Sequence, residues 1–243
     1  FATGTLATSV GYGLFFGNVV LLPLWLQQFM GYTASAAGMA VAPVGLLAIL
    51  LSPVVGKNIG KVDPRRFASL AFLGFALVLW MRSLFTTQAD FATIMVPTIL
   101  QGAAIACFFI PLSAITLNGL TPDRIPSASG LSNFVRITAG AMGTSTVTTL
   151  WEDRATLHHA HLVEHITPTD PGAMGAIDTL RSMGMSMEQA LAQITRLIDQ
   201  QAFTRAADDV YLGSAILFLC LIPLIWLSRP QRQSGTVDVG GAH

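Results

Sequence analysis

Charged residues punctuate the apolar pattern of this chain, and they begin late. Lys, Arg, Asp and Glu are all absent from Phe1 to Gly56. A soluble domain carries about one charged residue in four, so a gap this long does not suit a wet surface. A helix needs about 20 apolar residues to cross a bilayer, and this gap holds two crossings. Charges and turn residues then divide the rest, giving six apolar spans in all: about Thr5 to Phe29, Ala36 to Ile59, Phe67 to Phe85, Ile94 to Asn118, Ser129 to Trp151 and Asp209 to Leu227. The expected fold is an all-α membrane protein, a six-transmembrane-helix bundle. Residues 1–151 supply five helices, 152–208 an external (periplasmic) loop with an amphipathic helix, 209–228 the sixth helix, and 229–243 a Gly-rich disordered cytoplasmic tail.

Within the external stretch, Ser186 and Gln189 have the spacing of a capping box. Met187, Ala190, Leu191, Ile194, Leu197 and Ile198 follow at helical period. Prolines 23, 43, 53, 97, 111 and 223 interrupt the spans. Proline is tolerated in lipid because neighbouring helices re-satisfy the freed carbonyls. Two readings of them stand: irregular packing, or kinks that shape a cavity and let helices rock.

Polarity sorts the spans. The third is interrupted only by Ser69 and the sixth by little beyond Ser214, so these two are expected to face lipid. Asn18 marks the first, Gln101 and Thr116 the fourth, and Asn133, Arg136, Thr138 and a Ser/Thr run the fifth. Intramembrane polar groups face a bundle interior or a wet cavity, so spans one, four and five are the expected lining. On span five, Asn133, Arg136, Gly140, Gly143 and Thr144 make one stripe of polar and small residues. Arg136 costs at least about 2.5–3.5 kcal/mol at mid-membrane. It therefore has a role there or snorkels to the headgroups.

Mean hydropathy is +0.61. Thirteen basic and thirteen acidic residues cancel, which leaves no electrostatic argument for nucleic acid. Lys57, Lys61, Arg65, Arg66, Arg124, Arg229 and Arg232 gather on one side, against Arg82 alone at a span edge on the other. Positive charge marks the cytoplasmic face, so both termini are expected there. Trp25, Tyr32, Trp80, Trp151 and Tyr211 fall near the external boundary and Trp226 near the internal one. The chain opens Phe-Ala-Thr-Gly, without Met or a basic n-region, which argues against a signal peptide and suggests a piece of something longer. Every acidic residue lies in a loop or at a span end. Proton relays rest on intramembrane carboxylates or histidines, so a coupling acid is not expected in this chain. Asp208 and Asp209, at the mouth of span six, are poor substitutes.

Chemistry beyond transport finds little support. His158, His161 and His165 would share a helix face with His159 beside them, yet no Cys accompanies them in the polar stretch. Cys107 and Cys220 sit in apolar runs and read as packing residues. No HExxH, GxSxG or Walker loop occurs. Neither enzyme activity, cofactor nor metal is expected. A membrane-embedded enzyme using His158 or His161 is the remote rival.

Specific residues also carry a resemblance. Gly31-Tyr32-Thr33, Ala42-Pro43-Val44-Gly45, Ser52-Pro53 with Gly56, Gln101-Gly102, Ala106-Cys107-Phe108-Phe109 with Pro111, Leu131-Ser132-Asn133-Phe134 with Arg136, Gly143-Thr144-Ser145 and His158-His159-Ala160 resemble the C-terminal half of EmrB/QacA-subfamily multidrug efflux proteins. These are fourteen-helix drug:proton antiporters of the major facilitator superfamily. Gly56 to Arg66 is similar to the superfamily's basic loop motif, with Gly60 where that motif has Asp and Lys61, Arg65 and Arg66 keeping the basic part.

The resemblance implies one half-bundle of a proton-driven exporter of hydrophobic, often cationic or amphiphilic drugs in the bacterial inner membrane. Its proton-coupling acids would lie mainly in a missing N-terminal half. A periplasmic adaptor and an outer-membrane channel are the implied partners. Gln101, Phe108, Asn133 and Arg136 are the expected cavity wall. The competing expectation is a non-transporting scaffold half that needs a separate N-terminal chain.

Overall fold

Two apolar spans are broken where proline dictates. The computed structural model describes residues 2–117, 121, 123–164 and 171–227, and every regular element among them is a helix. After α1 (Ala2–Gln28), Gly31 turns the chain at φ +73°, and the Thr33 hydroxyl caps α2 (Ala34–Val41). The second span then breaks at Ala42-Pro43 before α3 (Val44–Asn58). The fourth breaks at Cys107-Phe108, between α5 (Phe91–Ala106) and α6 (Phe109–Leu117). In an unbroken helix the Pro111 ring would strike the Cys107 carbonyl; in the first turn of α6 its missing N–H has no intrahelical role. Prolines 23, 53, 97 and 223 stay inside their helices.

Local capping sets the remaining starts. α4 (Pro64–Arg82) begins with proline behind an Asp63 cap, and α5 begins behind Asp90. The Asp90 carboxylate accepts from the Thr93 hydroxyl and backbone N–H, which together hold it below the usual carboxylate range. α7 (Ile125–Glu164) and α9 (Met187–Trp226) are each 40 residues long, with α8 (Pro171–Ser182) between them in sequence. The Ser186–Gln189 capping box forms as its spacing predicts. The amphipathic segment after it is not a separate helix but the first half of α9, continuous with the last span. No proline or glycine lies between Met187 and Leu212 to stop it. His165 and the tail from Ser228 onward lie outside the described residues.

Five stretches are long and apolar enough to cross a membrane: Thr5–Gln28, Ala34–Asn58, Pro64–Arg82, Phe91–Thr116 and Met187–Trp226. α7 is not among them, because Arg136 and the Ser/Thr run dilute its apolar content. It joins the bundle through packing instead, lying along α1 and α9. α4 packs on α9 and α5, and α3 on α5. Tyr12, Phe15, Phe72, Phe75 and Phe218 gather around Phe108 and its neighbours to form the core.

The third span corrects the lipid-facing expectation. α4 has two apolar faces that polarity does not distinguish. Ala68, Ala71, Phe72, Phe75 and Ala76 are buried, while Leu70, Leu73, Leu77 and Trp80 are open. Counting polar residues misses such a face, because alanine admits close packing without any polar signal. The most open apolar surface belongs to the second span, where Met39, Leu46, Ile49, Leu50 and Val54 are exposed.

The tightest helix crossing is glycine against glycine. A Cβ on Gly143 would collide with the Gly13 carbonyl and Cα, and one on Gly17 would approach the Gly143 carbonyl at 2.8 Å. Gly143→Leu should therefore destabilise the bundle by about 1–3 kcal/mol through overpacking. Gly38→Ala, with nothing within 4 Å of the new methyl, should hold or raise stability. Thermal unfolding in detergent checks both; equal melting temperatures for Gly143→Leu and the parent would refute the crossing.

Candidate functional site

The glycine crossing places Arg136 opposite Tyr12. Arg136 stands two turns before Gly143 on α7, so both share one helix face. Tyr12 immediately precedes Gly13 on α1. The Arg136 guanidinium lies 5.1 Å from the Tyr12 ring centroid, within the range of cation–π attraction. It donates to the Tyr12 hydroxyl at 3.3 Å and to Asn133 Oδ1 one turn away. Tyr12 and Arg136, with Phe16, Phe109, Ile137, Gly140, Ala141 and Thr144, line a cleft of about 510 Å³ between α1, α6 and α7. Among the described residues no carboxylate pairs with Arg136. The cleft is thus aromatic on one wall, carries the Thr144 hydroxyl on another, and is positively charged at Arg136.

The other expected wall residues are placed differently. Asn133 is exposed and orients Arg136. Phe108 is wholly buried, its ring 5.1 Å from Tyr12, 5.2 Å from Phe75 and 5.2 Å from Phe109. It supports the cleft from behind rather than lining it. Gln101 is turned to α4, where its Oε1 accepts from Arg82 at 2.7 Å.

Arg82 is the residue that the sequence reading understated. It ends α4 at what looked like a span edge, yet it is only 1% exposed. Besides Gln101 it reaches the Thr98 hydroxyl at 3.5 Å, and its Nε has no partner. A signal was available: helical side chains slant toward the N-terminus, so Arg82 dips inward, to the depth of Gln101 on the next span. Tyr211 on α9, equally buried, feels its charge.

The basic loop residues divide by role. Arg65 is buried and donates to the Trp226 carbonyl at 3.4 Å, placing a cation where the α9 dipole is negative. Trp226 in turn donates to Ser69 at 3.0 Å. Gly56, Lys61 and Arg66 are exposed. At the opposite end, Asp209 of α9 meets His158 at 2.8 Å and Arg154 at 3.6 Å on α7, and Asp199 meets His159 at 3.4 Å. Two of the four clustered histidines are therefore ion-pair and hydrogen-bond partners of α9. Trp151 and Trp25 add indole donors to the Phe203 carbonyl and the Thr204 hydroxyl.

Arg82→Met should cost more than Arg82→Met combined with Gln101→Leu. The single change strands a buried amide oxygen, worth about 1–3 kcal/mol, whereas the double change removes both polar groups. Chemical denaturation of the purified protein reads the difference. A double variant as unstable as the single would show that Gln101 is not the group that Arg82 satisfies.

Comparison with known proteins agrees with this build. The Major Facilitator Superfamily profile matches residues 1–144. The Multidrug export protein EmrB of Escherichia coli K12 is 42% identical over 244 residues, covering 100% of this chain and 48% of that protein. The Fatty acid resistance protein FarB of Neisseria gonorrhoeae is 40% identical over 243 residues, 100% of this chain and 47% of FarB. The EmrB of Haemophilus influenzae is 39% identical over 231 residues, 95% of this chain and 45% of its own length. The chain spans about half the length of the curated relatives it matches. An all-helical, multi-pass bundle whose first 144 residues fit that profile belongs to the Major Facilitator Superfamily, and this one resembles EmrB-type export proteins throughout.

Proposed function

We propose that this chain is the C-terminal half-bundle of a proton-driven multidrug exporter in the bacterial inner membrane, with Arg136 as the charged contact of its drug path. The carrying observation is the Arg136–Tyr12 pair at the head of an aromatic cleft without a paired acid. Such a cleft suits an amphiphile with an anionic or neutral polar head. The apolar tail lies on Phe16 and Phe109, while the guanidinium meets the head with charge-assisted hydrogen bonds. A lipophilic cation is repelled at the same point. FarB, named for fatty acid resistance, fits that sign of charge, whereas the resemblance alone leaned toward cations.

The rest of the proposal concerns parts beyond this chain. An N-terminal half closes the substrate path, and the exposed apolar face of α2 and α3 is the surface left for lipid or for that half. A periplasmic adaptor and an outer-membrane channel carry the drug onward, on the precedent that the resemblance supplies. Both termini lie in the cytoplasm, with the charged ends of α7 and α9 on the periplasmic side. The basic residues Lys57, Lys61, Arg65 and Arg66 support that orientation. A scaffold half without transport gains no support from the cleft, because structure alone does not require Arg136 there.

In the longer protein, Arg136→Gln should reduce export of a fluorescent carboxylate amphiphile about 10-fold or more. Losing a hydrogen bond to a charged group is worth about 1.5–3 kcal/mol. Export of a lipophilic cation should be retained or improved. Uptake of either dye into everted vesicles gives the measurement, with membrane protein levels checked in parallel. Unchanged export of both dyes by Arg136→Gln would leave Arg136 a snorkelling residue with no part in the path.

A further inference from the structure

The rim where α7 and α9 leave the apolar layer holds a half-buried carboxylate, one oxygen of which is buried without a hydrogen-bond partner. Asp208 ends the charged half of α9, and the apolar half begins at Val210. Its neighbour Asp209 is held by Arg154 and His158 of α7, but among the described residues no ion pair reaches Asp208. Asp208 stands one turn before Tyr211, so the two side chains share a face of α9. Tyr211 in turn is only 1% exposed.

Asp208 Oδ1, the Tyr211 hydroxyl and Arg82 Nε are buried atoms without a hydrogen-bond partner. The other such atoms among the described residues, on Thr5, Asn18 and Arg65, are spread along α1 and at the far end of α4. Leaving an ionised carboxylate buried with an open lone pair is costly, and the group escapes that cost by taking up a proton. Protonated, it becomes a hydrogen-bond donor and loses its charge.

We propose that Asp208 is a proton-binding site of this protein, one turn from the buried Tyr211 at the charged rim of the bundle. The surrounding charges support it. Burial first, and then the like charge of Asp209, push the Asp208 carboxyl up to about 8, while Arg205 pulls it down. From α4, Arg82 does not figure among the charges acting on Asp208; from α7, Arg154 and His158 are both engaged by Asp209. α1 brings no charged residue, and neither Asp178 nor Arg181 of α8 figures among the charges acting on Asp208. Sequence reading set Asp208 aside because it lies at the mouth of a span. Its environment, not its depth, gives it a proton. The site lies some distance from the Arg136 cleft, so a transport cycle need not bring proton and drug to one place.

The test is infrared pH-difference spectroscopy of the purified protein that carries this chain, between about pH 6 and about pH 10, a window bracketing the expected midpoint. A protonated-carboxyl C=O band should vanish with a midpoint near 8. Asp208→Asn should lack that band, Asp208→Glu should shift its frequency, and Asp209→Asn should lower its midpoint by removing the like charge. An Asp208→Asn spectrum identical to the parent overturns the proposal. Where Asp208→Asn does not fold, an unmoved band in Asp208→Glu overturns it equally. The outcome is independent of the export reading: a protein that shows the band but exports nothing keeps its proton site, and an exporter without the band loses only the proton site.

Discussion

Backbone meets backbone where α1 crosses α7, and the rest of the bundle is arranged around that contact. At Gly13 and Gly143 neither helix has a side chain to hold the other away. In a bilayer, where lipid tails are as apolar as the helices, such close approach supplies much of the attraction between helices. The contact fixes rotation as well as distance. It turns Tyr12 toward Arg136 and leaves Phe16 against Gly140, where a Cβ would meet the Phe16 ring at 3.1 Å. A cleft with one aromatic wall and one polar wall follows from two helices that lack Cβ atoms at their crossing.

The charges inside the bundle share a second regularity. Arg136, Arg82 and Arg65 are each held by neutral dipoles: a phenol and an amide, an amide and a hydroxyl, a main-chain carbonyl. Dipoles satisfy the donors without cancelling the charge. A buried ion pair removes its field along with its desolvation cost, whereas these three leave the interior positive. That is why the cleft has a sign.

Much of this was legible from the residues and some was not. The capping box at Ser186, the turn at Gly31 and the small-residue stripe on α7 are local patterns, and local patterns survive into the fold. Of the six prolines expected to interrupt the spans, only Pro43 and Pro111 stand where a helix breaks, while Pro23, Pro53, Pro97 and Pro223 stay inside theirs. Burial without polarity was invisible: nothing in the composition of α4 marks Ala71 as inside and Leu73 as outside. Arg82 escaped notice because depth was measured at the Cα, while a long side chain places its charge a turn deeper. Gln101 was identified as an interior polar residue, but its partner came from the next helix, which periodicity within one span does not reveal.

Continuity through α7 and α9 has a mechanical meaning. At 1.5 Å per residue each is about 60 Å long, twice the hydrocarbon thickness of about 30 Å. α7, pinned near its middle by the glycine crossing and tied to α9 through Trp151 and His158 beyond it, behaves as a lever. Tilting the polar end of α7 by about 5 degrees displaces its tip by roughly 2 Å over the roughly 20 Å that lie beyond the apolar span. The opposite arm carries Arg136. Forces applied far from the cleft thus arrive at it undiminished, as rotation rather than as a chain of altered contacts.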